Sequence, residues 1–381
     1  MNKKIVKILG SGPTGSLLAL SLASSNCEVI LVDPLSDEEL VSRDKGYALT
    51  QSSRRIFQEM GLWNSIEEFA TGFDSLSIID DELSQSVIVR TNDLKKINKG
   101  QENIGWVLEH KHLMNILIKS INCNKFIKKL TIDDTNDETF DFVLAADGRD
   151  SSSRKNWQIK YFKRLYKQKC ISFRAILANL PERRAYEIFR HEGPLALLPL
   201  DNNIYQIIWF GSLSETKLRL ELSNQNLLEM LSNSLPDKIQ AINIVSEISY
   251  YSVAQAFAFP KFNNYQNVLV GDSAHSFHPV GGQGLNSCIR DVYELSDLIK
   301  KNQTNSFLKI KFFALNYFFK RFLDIFSLII FTDLLIKVFS NKLILLYPLR
   351  HLIFYMLRKI KLLRINVFSL MTDSLKSYDL K

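Results

Sequence analysis

Residues 4–9, KIVKIL, run straight into Gly10-Ser11-Gly12-Pro13-Thr14-Gly15, which is followed by SLLALSLASS at 16–25 and CEVILVD at 27–33. The first and last of these segments are rich in branched residues and read as strands, and the middle one reads as a helix. The glycine pattern G-x-G-x-x-G therefore falls where a strand turns into a helix. In that position the first glycine permits the tight turn, the second lets backbone approach a pyrophosphate, and the third lets helix pack on strand. The helix N-terminus adds favourable charge for an anion. Asp33 ends the second strand, 18 residues after Gly15, where an acid can bind a ribose hydroxyl pair.

Working outward, FDFVLAADG at 140–148 and NVLVGD at 267–272 read as a third and a fourth strand of the same sheet. Between them, residues 160–262 carry strand-like runs (CISFRAILANL, PLALLPL, YQIIWFGS, ISYYSVAQAFAF) and one helical stretch at 218–235. After Asn286 the pattern turns helical. It stays so from Phe307, with breaks at Ser340-Asn341 and Pro348. The expected fold class is α/β: a Rossmann-like nucleotide-binding domain (1–70, 100–160 and 262–305), an inserted, mostly antiparallel β-sheet substrate domain (71–99 and 161–261), and a helical tail over 306–381.

A chain of 381 residues with 46% hydrophobic and 23% charged residues can bury a sizeable core, which excludes a disordered chain or a lone small module. The net charge of +8 is concentrated in the tail, where 14 Lys and Arg face four Asp from residue 301 onward. The same segment holds 11 of the 25 phenylalanines. A basic end this rich in Phe, Leu and Ile fits a membrane surface better than nucleic acid. Cys27, Cys123, Cys170 and Cys288 are widely spaced without a C-x-x-C pair, which disfavours a disulfide framework, a zinc site and a dithiol redox centre and makes a reducing cytoplasm the expected compartment. No signal peptide is expected from MNKKIVKILGSG, and no run approaches the roughly 20 apolar residues of a spanning helix.

Two further motifs carry chemistry. Asp147-Gly148-Arg149-Asp150-Ser151-Ser152-Ser153-Arg154 reads D-G-x-x-S-x-x-R, which by itself is also an ordinary solvated turn. Gly271-Asp272-Ser273-Ala274-His275 is followed by His278-Pro279-Val280-Gly281-Gly282-Gln283-Gly284-Leu285-Asn286, an acid closing a strand and glycines opening a helix. Backbone N–H groups there would face an anion. His275 and His278 lack the additional ligands that would complete a metal site, so no metal is expected.

These three motifs, in this order, resemble the class A flavoprotein monooxygenases. KGYALTQSSRRIFQEMGLW at 45–63, GPLALLPL at 193–200, HPVGGQGLN at 278–286 and FTDLLIKVFS at 331–340 look like the hydroxylases of ubiquinone biosynthesis within that class. The resemblance implies that Gly10, Gly12, Thr14 and Gly15 hold the FAD pyrophosphate and Asp33 the adenosine ribose. It implies that Asp147, Gly148 and Arg154 lie near the pyrophosphate and a transient NAD(P)H, and that Gly271 and Asp272 lie near the ribityl or pyrophosphate portion. Pro279, Gly282, Gln283, Gly284, Leu285 and Asn286 would pass along the isoalloxazine. Lys45 stands where the family has Arg, a point charge in place of a bidentate fork. Cys288 replaces a glycine just after the loop.

The activity so implied is hydroxylation of a prenylated phenol or quinol precursor by FAD, NAD(P)H and O2, in ubiquinone- or plastoquinone-type biosynthesis. Two rival readings share the first motif: a flavin-dependent isoprenoid-chain reductase, and a non-catalytic flavin-bearing subunit of a quinone-biosynthesis complex. No catalytic residue is assigned. His278 is a weak candidate for phenol deprotonation, against a structural histidine bonded to backbone. The expected partners are a lipophilic phenol or quinol, O2, a quinone-biosynthesis complex and the cytoplasmic face of a membrane, with no nucleic acid. On that face Lys320, Arg321, Lys337, Lys342, Arg350, Arg358, Lys359, Lys361 and Arg364 would snorkel toward anionic headgroups; the equal alternative is that the tail's phenylalanines pack it onto the nucleotide domain, and the two are compatible if one face does each job.

Overall fold

The structure, a computed structural model, describes residues 3–25, 27–94, 102–131, 139–236, 239–301 and 307–373. Its first sheet has six strands in the order Phe262–Asn263, Asn267–Leu269, Phe142–Ala145, Ile5–Leu9, Glu28–Val32 and Ile127–Leu130. Every neighbouring pair is parallel except the Phe262–Asn263 hairpin. Helix Pro13–Ala23 returns the chain between the first two strands and buries Leu17, Leu18 and Leu22 against Val6, Ile8, Val29 and Leu31. Such a strand, crossover and parallel strand is the unit that KIVKIL, the glycine loop and CEVILVD predict. Ile127–Leu130 joins the edge of this sheet without having been foreseen, because IKKL is too short and too charged to read as a strand.

The second sheet is built mainly from the insertion. Tyr161–Ala178 is its longest strand and pairs antiparallel with Ile204–Ser212, with Ser249–Ala258 and with Gln240–Ile244. Beyond Ile204–Ser212 the order continues through Leu195–Pro199, Arg184–Phe189, Ser75–Asp80 and Gln85–Arg90. Arg184–Phe189 and Ser75–Asp80 run parallel. A small third sheet, Gly46–Leu49, Gly105–Glu109 and Thr71–Phe73, bridges the two larger units and was not anticipated. The helical stretch expected at 218–235 is two helices, Leu213–Glu221 and Asn224–Ser232. They separate where the Ser223 hydroxyl accepts the Asn226 N–H and starts the second.

The tail is three helices, Phe307–Phe339, Tyr347–Lys359 and Lys361–Asp373; residues 306 and 374–381 of the expected tail lie outside the described residues. The first helix ends before Ser340, and Arg350 donates to the orphan carbonyls of Val338 (2.7 Å), Phe339 (3.1 Å) and Asn341 (2.8 Å). Pro348 does not break a helix. It sits in the first turn of Tyr347–Lys359, where a missing N–H leaves nothing unpaired.

The tail's basic residues require a correction. Arg321 and Arg350 are buried, Arg364 pairs with Asp93 at 2.7 Å, and Arg358 donates to Gln85 at 3.1 Å, so Arg321, Arg358 and Arg364 tie the tail to the body while Arg350 joins one tail helix to the end of another. Phe313, Ala314 and Tyr317 belong to the nucleotide-domain core. The outward face of the first helix is apolar instead: Phe312, Phe319, Leu323, Phe326, Ile330 and Leu334 are exposed at helical spacing. Leu343, Ile344 and Leu345, the last 90% exposed, extend this strip. Among the described residues, no helix is long and apolar enough to cross a membrane.

Candidate functional site

Strands Ile5–Leu9, Phe142–Ala145 and Asn267–Leu269 are adjacent and parallel, so the residues following each must emerge on one edge of the sheet. Gly10, Asp147 and Gly271-Asp272 are those residues, and this edge is where doubly wound folds bind ligands. Gly10 has φ +99°, and a Cβ on it would lie 2.6 Å from the Ala146 carbonyl oxygen. A Cβ on Gly15 would lie 1.8 Å from the Gly10 oxygen. These two glycines are demanded by the protein itself. Gly12 differs: its φ is −62°, and a Cβ there would meet nothing within 4 Å. No side chain caps the helix that starts at Pro13, and the Ser11 hydroxyl is buried without a partner among the described residues. Asp33 accepts the Ser11 N–H at 2.6 Å and the Leu35 N–H at 3.0 Å, which fixes the loop against the second strand.

The second and third motifs pack onto the first. Asp147 accepts the Ser153 N–H at 2.9 Å through Oδ2, while its Oδ1 is buried without a partner. Gly148 has φ +81° with open space where a Cβ would point. Arg154 is buried. It donates to the carbonyls of Ser273 (2.7 Å) and Arg149 (3.0 Å) and lies 3.6 Å from the centre of the Tyr161 ring, so its charge ties the D-G turn to the G-D turn. Gly271, at φ +65°, leaves room that a Cβ would take from Thr14 and Cys288. Burial raises the Cys288 pKa well above the ordinary thiol value, and the thiol donates to Asp272 Oδ1 at 3.5 Å. The residue that departs from the family pattern is thereby accommodated as a donor to the motif's own acid. The enclosing protein, with the charges of Arg149 and Arg43, lowers the pKa of Lys45, and Asp272 opposes that shift.

In the 279–286 loop, Gly281 (φ +70°) and Gly282 (φ +64°) make the turn into helix Gln283–Lys301. Asn286 is fully buried and locks this turn to the segment at 46–53. Its Nδ2 donates to Ala48 and Gly282 carbonyls, both at 2.7 Å, and its Oδ1 accepts from Thr50 N–H (3.0 Å) and Ser53 Oγ (2.6 Å). Gln283 Nε2 donates to Met371 O at 2.8 Å, joining the loop to the last tail helix, and its Oε1 is buried without a partner. Gly284 has open space about it, Leu285 packs against the nucleotide core, and Pro279 is exposed. His278 has both ring nitrogens engaged: Nδ1 accepts the Val280 N–H (3.2 Å), and Nε2 lies 3.1 Å from Gln168 Oε1. Burial pushes its pKa down to about 3, so the ring stays neutral.

Beside this loop lie two adjoining chambers, lined largely by residues that sequence reasoning missed. One, of about 870 Å³, is walled by Ala48, Leu49 and Thr50, by the second sheet, and by Pro279, Gly281, Gly282 and Gln283. The other, of about 1110 Å³, lies between that sheet and the tail helices. Leu76, Glu187, Gly281, Phe368 and Met371 border both. Glu187 is their shared carboxylate; burial raises its pKa to about 7, with the facing Gly281 N–H opposing the shift, and Oε1 has no partner among the described residues. A period-two reading of RAYEIF would have found it, since Ala185, Glu187 and Phe189 share one strand face and an acid between two apolar residues there is out of place. Among the described residues, the one cluster with metal-binding spacing, His191, Glu192 and Glu215, lies elsewhere, and Glu192 is already paired with Arg219 at 2.5 Å.

The chain is similar to several known proteins. The chain is 24% identical to the 3-demethoxyubiquinol 3-hydroxylase of Escherichia coli over 326 residues, covering 77% of this chain and 79% of that protein. It is 24% identical to the ubiquinone hydroxylase UbiL of Rhodospirillum rubrum, covering 88% and 82%. Among solved structures, p-nitrophenol 4-monooxygenase PnpA from Pseudomonas putida superposes with a TM-score of 0.76 at 15% identity, over 97% of this chain and 98% of that one, which shows a shared fold. Residues 3–87 and 127–303 match the family described as the FAD binding domain, a span that takes in all three motifs and the glycine loop and stops short of the tail. With these motifs gathered on one sheet edge and most of its length matched, the chain belongs to the FAD-binding-domain family.

Proposed function

We propose that this protein is an FAD-dependent monooxygenase that hydroxylates a lipophilic phenol or quinol in quinone biosynthesis, with NAD(P)H as transient co-substrate and O2 as oxidant. The observation that carries the reading is the pair of adjoining chambers beside the 279–286 loop, one bordered by the loop itself and the other an apolar slot suited to a long substituent. The residues present fit FAD: open space at Gly12, an uncapped helix start and the unpartnered Ser11 hydroxyl suit a pyrophosphate. Gly10, Gly12, Thr14 and Gly15 would hold it, Asp33 the ribose, and Lys45, Asp147, Gly148, Gly271 and Asp272 the portion between. Arg154 would keep the last two turns in register. Pro279, Gly282, Gln283, Gly284, Leu285 and Asn286 would border the ring system, and Gln283 Oε1 supplies an unspent acceptor there.

When bound, FAD passes electrons from NAD(P)H to O2 so that one oxygen atom reaches the ring. The protein's part is to orient the ring and exclude water, and the apolar chamber walls do both. The division of labour follows the expected domains, with 1–70, 100–160 and 262–305 holding cofactor, and 71–99 and 161–261 shaping the substrate wall. The apolar strip from Phe312 to Leu345 supports docking on the cytoplasmic face of a membrane, where the substrate would dissolve and enzymes of a quinone-biosynthesis complex would meet it.

The test combines FAD content of the purified protein, NAD(P)H oxidation with 2-prenylphenols in air, and quinone-intermediate profiling in a deletion strain. An accumulating phenol that the pure enzyme hydroxylates supports the proposal. Turnover that continues without oxygen and saturates the prenyl chain would establish the isoprenoid-chain reductase instead.

A further inference from the structure

We propose that the Glu187 carboxylate binds the ring hydroxyl of a phenolic substrate and takes its proton during hydroxylation, while the substrate's apolar substituent lies in the chamber beneath the C-terminal helices. The inference deepens the function proposed above and rests on it.

The argument starts from the strand. Arg184–Phe189 pairs with Leu195–Pro199 on one side and Ser75–Asp80 on the other, and Glu187 stands opposite Ala196 and Ile78. Those neighbours carry no charge. The loop that packs on Glu187 offers the Gly281 N–H, and the last tail helix offers Phe368 and Met371. Asp80 and Arg350, two positions further along the sheet, lie 3.9 Å from one another, and Arg350 is spent on helix-end carbonyls. Among the described residues, Glu187 is therefore the one carboxylate lining either chamber, and no cation neutralises it.

A buried carboxylate oxygen without a donor is expensive unless something supplies one. Here the missing donor would come from the ligand. Oε1 is unpartnered, and Gly281, which lines both chambers beside Glu187, belongs to the loop that borders the proposed flavin site. A ring hydroxyl placed on Oε1 brings the ring to that loop. The apolar slot then opens on the other side of the same residue, with Leu335, Phe354 and Val367 among its walls. Burial raises the carboxyl pKa to about 7, which poises it to hold a proton transiently near neutral pH.

In the step itself the O–H bond of the phenol breaks and its proton goes to Oε1. The bonding pair moves into the ring, and the ring carbon takes one atom of O2. The other oxygen atom leaves as water, with two electrons and a proton supplied by NAD(P)H and a second proton from solvent. When the ring carbon then loses its hydrogen as a proton to water, water returns a proton to the newly bound oxygen to complete its hydroxyl, while the former hydroxyl oxygen recovers its proton from Glu187 and the carboxylate is regenerated.

The experiment uses full-length, FAD-loaded protein with 2-geranylphenol and its O-methyl ether as probes, comparing wild type, Glu187→Gln and Glu187→Ala. Binding, followed by the change in flavin absorbance, should favour the phenol over the ether by roughly tenfold in wild type. Glu187→Ala should abolish that preference. In turnover, Glu187→Gln should keep its FAD and bind the phenol within a few-fold of wild type, yet lose at least about a hundredfold in kcat and the rising limb of the pH profile near 7. Unchanged phenol preference in Glu187→Ala, or an unchanged kcat and pH limb in Glu187→Gln, would overturn the inference while leaving the monooxygenase reading standing. Loss of FAD in Glu187→Gln would also overturn it, by showing that the residue serves the loop. Wild type that binds the phenol but never hydroxylates any phenol would sink the functional proposal, and binding of neither probe would sink both.

Discussion

Arg321 Nε lies 2.5 Å from Asp291 Oδ1 with both side chains buried, so the tail helix Phe307–Phe339 is locked by charge to the helix Gln283–Lys301 that follows the glycine loop. Through Oδ2 the same carboxylate lies 2.7 Å from His275 Nε2 and accepts the Gly271 N–H at 3.0 Å. Lys261, 3.5 Å away, has its pKa lowered to about 8 by burial, with Asp291 resisting the shift. Lys261, Arg321 and the hydrogen-bonded His275 hold Asp291 well below the usual carboxylate range. One acid thus fixes the G-D turn and the tail together.

Asp291→Asn should therefore destabilise the protein by about 3–5 kcal/mol, since it leaves Lys261 buried without its counter-charge and takes one of two carboxylates from Arg321, which keeps Asp324 at 2.5 Å. FAD retention should fall with it, through Gly271. Chemical denaturation and flavin content check both, and a variant as stable as wild type would contradict the assignment.

The glycines of the first motif should behave differently from one another. Gly12→Val should give a folded protein that no longer retains FAD, because the new side chain meets open space in the protein and the pyrophosphate in the complex. Gly15→Ala should impair folding itself, its Cβ falling 1.8 Å from the Gly10 oxygen. Circular dichroism with flavin absorbance separates the two outcomes.

Glu187 gives stability a pH dependence of known sign. Its folded pKa of about 7 lies above the unfolded carboxyl value of 4.5, so the folded state binds more protons between these values and its stability falls as pH rises through them. Glu187→Gln removes that loss. It should be more stable than wild type at pH 8 by up to about 3 kcal/mol and nearly equal at pH 4.5, as read from thermal melts at the two pH values.

Membrane docking is best tested by point changes, because removing the tail would also remove Phe313 and Tyr317 from the nucleotide core. Leu323→Asp with Leu345→Asp alters only exposed positions and should leave the fold intact. Wild type should float with vesicles containing anionic lipid, and the double variant should stay largely in solution. Equal flotation of the two would remove the strip from the docking surface.

The sequence by itself determined the nucleotide unit. KIVKIL, GSGPTG and CEVILVD lie within 30 residues, and strand period, turn glycines and helix start are all local properties, so they are written in consecutive residues. The D-G and G-D turns were legible for the same reason, each being an acid at the end of an apolar run. What only the tertiary structure decided was which distant residues meet. Asn286 finds Ala48 and Thr50, and Gln283 finds Met371. Glu187 comes to lie on the 279–286 loop because an inserted strand crosses beside it. The tail's arginines looked outward-facing in sequence because charge favours water, yet Arg321 and Arg350 turn inward where buried acids and orphan carbonyls await them. Such partners are set by how the sheets and helices pack across the chain, which no local pattern encodes.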